Sequence, residues 1–229
     1  MISETTFSRG YSSFWEEYFP WLINYSKDIN IDLTTRVFKS IGKSEDSGFR
    51  SINNIISFTH FKNTRLEKGF SLDSSFEEAK KIIVNFPRNN LLSYELTPFQ
   101  KEIIEFQVEK LDNRYGTDCE LYPNFPGCGI LNSCSGDIFK NNTLVEVKAG
   151  ERSILPADLK QLITYSAMNW LNSGSNYIIN KIEVFNPRQG LVWNSDLHAF
   201  ISTVSNISLE DVFDQICKYL TDLSDEIPV

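Results

Sequence analysis

The chain has 229 residues, 41% of them hydrophobic and 23% charged, the composition of an ordinary folded protein of one large domain or a domain with an appendage. No apolar run approaches the ~20 residues that span a bilayer, and the start, MISETTFSRGYSSFWEEYF, has neither the basic nor the apolar stretch of a signal peptide. The expected compartment is therefore the cytoplasm, with no membrane contact. A net charge of −8 excludes a protein that grips nucleic acid by bulk positive charge, so any DNA binding has to be local, metal-assisted or shared with a partner.

Residues 1–95 read as a helical N-terminal portion. Phe14, Trp15, Tyr18, Phe19, Trp21, Leu22 and Tyr25 recur at roughly helical spacing after Ser12-Ser13, which predicts an aromatic helix that forms core or a subunit contact. Ile41 to Arg50 is polar and loop-like. Ile52–Phe61 predicts a second helix. Ser74 to Val84 predicts a third, with Ser74-Ser75-Phe76-Glu77-Glu78 as its capped start, and Pro87-Arg88-Asn89-Asn90 marks a break.

From Thr97 the pattern changes, and residues 96–229 read as a second unit. Thr97-Pro98 with Gln100 opens a helix to about Leu111. One of its faces carries Phe99, Ile103, Phe106 and Lys110; Glu102, Glu105 and Glu109 form an acidic stripe. Strands are predicted at Asp118–Tyr122, Ser135–Lys140 and Thr143–Ala149, the last two joined by a tight Asn141-Asn142 turn. A helix follows from Pro156 to about Leu171, stopping near Asn172-Ser173-Gly174. Strands at Lys181–Asn186 and Leu191–Trp193 flank the turn Pro187-Arg188-Gln189-Gly190, and a last helix runs from about Leu209 to Leu223 after Ser208. The expected fold class is α/β, a central mixed sheet of four or five strands with helices on both faces. Of the four cysteines, Cys119, Cys128 and Cys134 lie within sixteen residues. They lack CxxC spacing and a nearby histidine, so reduced thiols are expected ahead of zinc or a disulfide.

The chemistry concentrates between Gly136 and Gly150. Alternation along Thr143–Ala149 puts Glu146 and Lys148 on one face and Val145 and Val147 on the other. A hairpin brings Asp137 to the same face as Glu146. Two converging carboxylates and the Val147 carbonyl make an all-oxygen set suited to Mg²⁺ or Mn²⁺. Lys148 beside them can orient or help deprotonate a metal-bound water, and the metal would supply Lewis acidity at a phosphodiester. His60 and His198 are far apart and belong to no motif. Arg152 and Lys160 are candidates for a phosphate contact or simple exposed cations. Asp158 suits the helix dipole near a helix start.

Asp137 followed by Glu146-Val147-Lys148 resembles the signature of the PD-(D/E)xK nuclease superfamily. Gln161 and Tyr165, four apart on the following helix, are similar to the QxxxY motif of its RecB-like branch. The resemblance covers roughly residues 97–194, with Gly136 standing where the signature has its proline. It implies a restriction-endonuclease-like core and a divalent-metal-dependent nuclease acting on DNA, in a bacterial defence or restriction-type system. Asp137, Glu146 and Val147 would ligate the metal, and Lys148, Gln161 and Tyr165 would complete the site. Glu105 is the preferred match for a further acid from the preceding helix, with Glu102 and Glu109 on the same stripe. The resemblance leaves room for activation by an ATPase or sensor protein, and for a homo-oligomer. It also leaves RNA as a substrate, or a silent nuclease fold acting as a DNA-binding or scaffolding subunit.

Overall fold

The computed structural model describes residues 1–42, 47–66, 70–83, 94–171 and 177–225. Its centre is a six-stranded mixed sheet built from β1 (Thr35–Arg36), β2 (Glu120–Leu121), β5 (Ile138–Lys140), β6 (Thr143–Val147), β7 (Lys181–Asn186) and β8 (Leu191–Asp196), in the order β1-β8-β7-β6-β5-β2. All neighbours are antiparallel except β6 and β7, whose parallel pairing is bridged by helix α7 (Pro156–Leu171). The sheet has more strands than the four or five expected, because the N-terminal portion contributes β1 to one edge. A separate ladder, β3 (Asn124–Phe125) with β4 (Cys134–Ser135), precedes β5.

Side-chain alternation assigns the two faces. Leu144, Ile182, Val184 and Trp193 point to a layer made by α1 (Glu4–Arg9), α2 (Ser12–Tyr18), α3 (Leu22–Asp28), α7, α8 (Leu197–Val204) and α9 (Leu209–Asp225). Ile138, Val145, Val147, Phe185 and Val192 point to a layer made by α4 (Ser47–Leu66), α5 (Leu72–Ile83) and α6 (Pro98–Tyr115). The N-terminal residues therefore supply helices to both faces. On the second face Glu183 of β7 is bolted to α6: Arg114 donates to it twice, at 2.9 and 2.6 Å, and the Tyr115 hydroxyl donates at 2.6 Å.

Several elements differ from expectation for local reasons. The aromatic stretch is three short helices, not one. Tyr11 takes a left-handed backbone (φ 55°) before α2, and Pro20 removes a helical N–H after it. A π-helical turn, Ile29–Leu33, ends α3. The stretch read as a loop to Arg50 is helical from Ser47, and the Pro87–Asn90 break lies outside the described residues. Helix α6 keeps the expected start: Thr97 accepts from the Gln100 N–H while Gln100 accepts from the Thr97 N–H. Its buried face is Ile103, Ile104, Val108 and Leu111, whereas Phe99 is exposed and Phe106 packs on Phe38 beneath Lys110. Strand β8 continues to Asp196, which caps α8 by accepting from the Ala199 N–H. Helix α9 is capped by Ser208, as its position suggested. All four cysteines are free thiols, three of them buried. No described helix is long and apolar enough to cross a membrane.

Candidate active site

The hairpin β5–β6 turns through Asn141 and Asn142, both at positive φ (49° and 59°), the two-residue turn whose twist matches that of the flanking strands. That turn fixes the register Ile138↔Val145, so Asp137, one step back, faces Glu146, one step on. The hairpin is locked by side chain as well as backbone: the Val147 N–H donates to Asp137 Oδ2 at 2.7 Å. Gly136 is crowded. A Cβ there would lie 3.0 Å from the Leu144 side chain and 3.3 Å from Pro123, and its own N–H donates to the Pro123 carbonyl at 3.0 Å. A proline would lose that bond, which accounts physically for the glycine.

Alternation carries Glu146 to the α7 face, where it is 5% exposed. Lys148 follows just past the strand, its N–H still donating to the Phe185 carbonyl at 2.9 Å. The Lys148 ammonium donates to Glu146 Oε1 at 2.6 Å and to Gln161 Oε1 at 3.2 Å, and lies 3.4 Å from Asp158 Oδ1. The backbone beyond it is held on both sides. Asn53 of α4 donates to the Ala149 carbonyl at 3.0 Å and Asn54 accepts from the Ala149 N–H at 3.1 Å. Gln107 of α6 steadies Asn53 by donating to it at 2.8 Å. Asn186 and Gln189 both donate to the Gly150 carbonyl, at 2.8 and 3.1 Å.

The electrostatics are those of a carboxylate pair short of positive charge. Burial, then Glu146, raise the Asp137 pKa well above the usual carboxylate range, against the smaller pull of Lys148 and the Val147 N–H. Burial likewise raises Glu146; Lys148 opposes this, and Asp158 and Glu4 reinforce it. Burial pulls the Lys148 pKa down, but Glu146, Asp158 and Asp137 together outweigh it and hold the ammonium charged. Asp158 is the best-compensated acid. Burial raises its pKa, but bonds from Arg152 at 2.6 and 2.7 Å, the charge of Lys148 and the Leu155 N–H bring it below the ordinary value. Its bond from Leu155 caps the start of α7, so it serves the helix terminus and the site at once.

On α7, Gln161 and Tyr165 lie one turn apart on the site face. Tyr165 is 3% exposed and stacks on Phe125 with centroids 5.6 Å apart. Burial first, then Glu146, Glu4 and Asp137, raise its pKa and keep its hydroxyl protonated. Asp137, Glu146, Lys148, Gln161 and Tyr165 thus form one neighbourhood. Glu105 is exposed on α6, the helix covering the opposite face of the sheet, and its charge is felt by His60. No interaction among the described residues links it, Glu102 or Glu109 to Asp137 or Glu146. Lys160 lies over the Trp15 ring, 5.1 Å from its centroid, and His60 bonds Ser75 in a buried pair at 2.9 Å.

Helix α1 supplies what the sequence did not reveal. The charge of Glu4 acts on Asp137, Glu146 and Tyr165. Thr5 donates to Glu4 Oε1 at 2.9 Å and accepts from Gln161 Nε2 at 3.3 Å. A hydrogen-bonded chain therefore runs Glu4–Thr5–Gln161–Lys148–Glu146. The Ser3 cap, which accepts from the Thr6 N–H at 3.1 Å, was a legible sign of a helix there, but nothing local tied that helix to the site. Among the described residues no three His, Cys, Asp or Glu side chains are gathered closely enough to form a metal cluster by themselves. Comparison of this chain with protein-family models, curated protein sequences and solved structures returned no match.

Proposed function

We propose that this chain is a divalent-metal-dependent nuclease acting on DNA, built on a restriction-endonuclease-like core of α6, β2, β5, β6, α7 and β7. The observation that carries the reading is Asp137 facing Glu146 across a locked hairpin, with Lys148 and Gln161 hydrogen-bonded beside them. Mg²⁺ is commonly held by only one or two carboxylates and keeps several waters, so a pair of buried carboxylates whose pKa values are raised fits it chemically. Asp137 and Glu146 would hold the ion, which when bound would polarise a phosphodiester and activate water. Lys148, charged and fixed by Glu146 and Gln161, would neutralise developing negative charge on the phosphate. The protonated Tyr165 hydroxyl would orient a neighbouring oxygen.

The test is cleavage of circular and linear DNA with Mg²⁺ or Mn²⁺, beside Glu146→Ala and Lys148→Ala. Metal-dependent cutting that vanishes in both folded variants is expected, and cutting of circles would make it endonucleolytic. RNA offered in parallel decides between the two nucleic acids. Cutting that survives in Glu146→Ala would overturn the reading.

A second reading is a nuclease fold that is silent alone, waiting on an ATPase or sensor partner or serving as a DNA-binding subunit. It is favoured by the net charge of −8 and by the ammonium of Lys148 seated on Glu146. It predicts weak basal cutting and strong cutting once the partner is present. Assignment to bacterial defence belongs to the same proposal and rests on the sequence resemblance.

A further inference from the structure

Beside the candidate active site lies a cavity of about 230 Å³ whose lining includes Thr5, Ser8, Arg9, Arg152, Asp158 and Gln161. At ~30 Å³ per water it has room for about seven molecules, more than a phosphate group displaces. Three features give it a chemical sign. Arg9 brings an exposed guanidinium whose planar fork suits phosphate oxygens, and Arg152, after its bonds to Asp158 and the Ser153 carbonyl, keeps its Nε–H and one Nη2 proton for a ligand. Asp158, the acid in the wall, is already neutralised by two bonds from Arg152 and by Lys148. Ser8 is 1% exposed, and its hydroxyl has no hydrogen-bond partner among the described residues. A buried hydroxyl without a partner costs free energy, which a ligand oxygen reaching it from the cavity would recover. Gln161 lines the cavity and also bonds Lys148, so an occupant sits within one side chain of the site.

We propose that this cavity is an anion subsite that takes a phosphate group of the nucleic-acid strand next to the scissile bond. The proposal rests on the nuclease reading for the source of the phosphate, and on the cavity alone for the chemistry. The phosphate can be the terminal monoester of a strand or an internal diester, and the two are separable.

The experiment is titration of the metal-free full chain with inorganic phosphate, followed by amide chemical shifts, at constant ionic strength set with chloride. Shifts concentrated in Thr5–Arg9, Arg152–Asp158 and Gln161 are expected, with affinity falling at least fivefold in Arg9→Ala and in Ser8→Ala. Arg9 is exposed and Ser8→Ala is smaller by one oxygen, so both variants should fold, which the remaining amide spectrum verifies. Phosphate that leaves these amides unmoved, or that binds both variants as tightly as the parent, overturns the subsite. Short oligonucleotides with a 5′-phosphate or a 5′-hydroxyl are then compared in the same way. A preference for the phosphorylated end that disappears in Arg9→Ala identifies the terminal monoester. Equal binding of both, weakened equally by Arg9→Ala, identifies the internal diester. Oligonucleotide binding that Arg9→Ala leaves unchanged overturns the proposal for nucleic acid. If DNA is never cut yet phosphate shifts these amides, the nuclease reading fails while the anion site stands.

Discussion

Replacing Asp137 with asparagine should stabilise the protein while disabling the site. Asparagine keeps an acceptor for the Val147 N–H now 2.7 Å from the carboxylate, but removes a charge that burial and Glu146 disfavour. The sign follows from proton linkage. The folded state holds the Asp137 proton more tightly than the unfolded chain, so ionising this group costs stability. That cost is absent below the unfolded value of about 3.9. It grows as pH rises from there and is complete above the raised folded value. Each pKa unit corresponds to about 1.4 kcal/mol. With Glu146 still buried, a net gain of about 2 kcal/mol is expected at pH 8, or a Tm higher by about 4–8 °C for a chain of this size. Thermal melts in EDTA at pH 4 and pH 8 measure it directly, and the gain should shrink towards zero at pH 4. Adding Mg²⁺ at about a hundred times its dissociation constant should stabilise the parent by about 2.7 kcal/mol and the variant by much less. A variant that melts at or below the parent at pH 8, or a gain that persists undiminished to pH 4, would refute the account of a strained carboxylate pair.

Four further outcomes are expected. Gly136→Pro should destabilise by about 1–3 kcal/mol in urea unfolding, since it loses the bond to Pro123 and crowds Leu144; an unchanged midpoint would mean the segment adapts freely. Glu183→Ala strips Arg114 and Tyr115 of their shared acceptor, and because Arg114 is partly solvated the loss should be about 2 kcal/mol, below the range for fully buried pairs. Asn53→Ala frees the Ala149 carbonyl and Gln107, costing about 1–2 kcal/mol; DNA cleavage should fall more than stability alone explains, as a kcat effect. Gln161→Ala releases Lys148 and Thr5 together; cleavage is expected to fall about tenfold with Tm nearly unchanged, and full activity would remove Gln161 from the site.

What the sequence disclosed, and what it did not, follows from how local each signal is. The β5–β6 hairpin was legible because two asparagines and strict alternation lie within the twelve residues from Asp137 to Lys148, a stretch that also carries Glu146. The α7 pair Gln161 and Tyr165 was picked out by its similarity to the QxxxY motif, and its spacing of one helical turn put both on one face. Helix α8 was hidden because Asp196 is both the last residue of β8 and the cap of the helix, leaving no loop between them. The sheet was undercounted because β1 is two residues long and is defined by pairing with β8, some 155 positions away. Glu4 was invisible as a site residue for the strongest version of that reason. Its connection to Asp137 and Glu146 depends on where the fold places α1, packed on α7 and tethered by the Ile2–Leu131 bridge. The acidic stripe of α6 carried the opposite error: regular spacing identified a helix face, but not which side of the sheet that helix would cover.

The hydrogen-bonded chain from Glu4 to Glu146 has a consequence for how the protein is made. Glu4 and Thr5 leave the ribosome more than 150 residues before Gln161, to which Thr5 bonds, and α9, against which Tyr11 and Phe14 pack through Tyr219, emerges later still. At a synthesis rate of about 5–20 residues per second, the carboxylate hairpin exists for seconds before its neighbouring wall can close. Contacts of such sequence separation are also the slowest to form. The links from Glu4 to Glu146 can therefore close only after α7 has emerged, and the packing of α1 and α2 on α9 only after that.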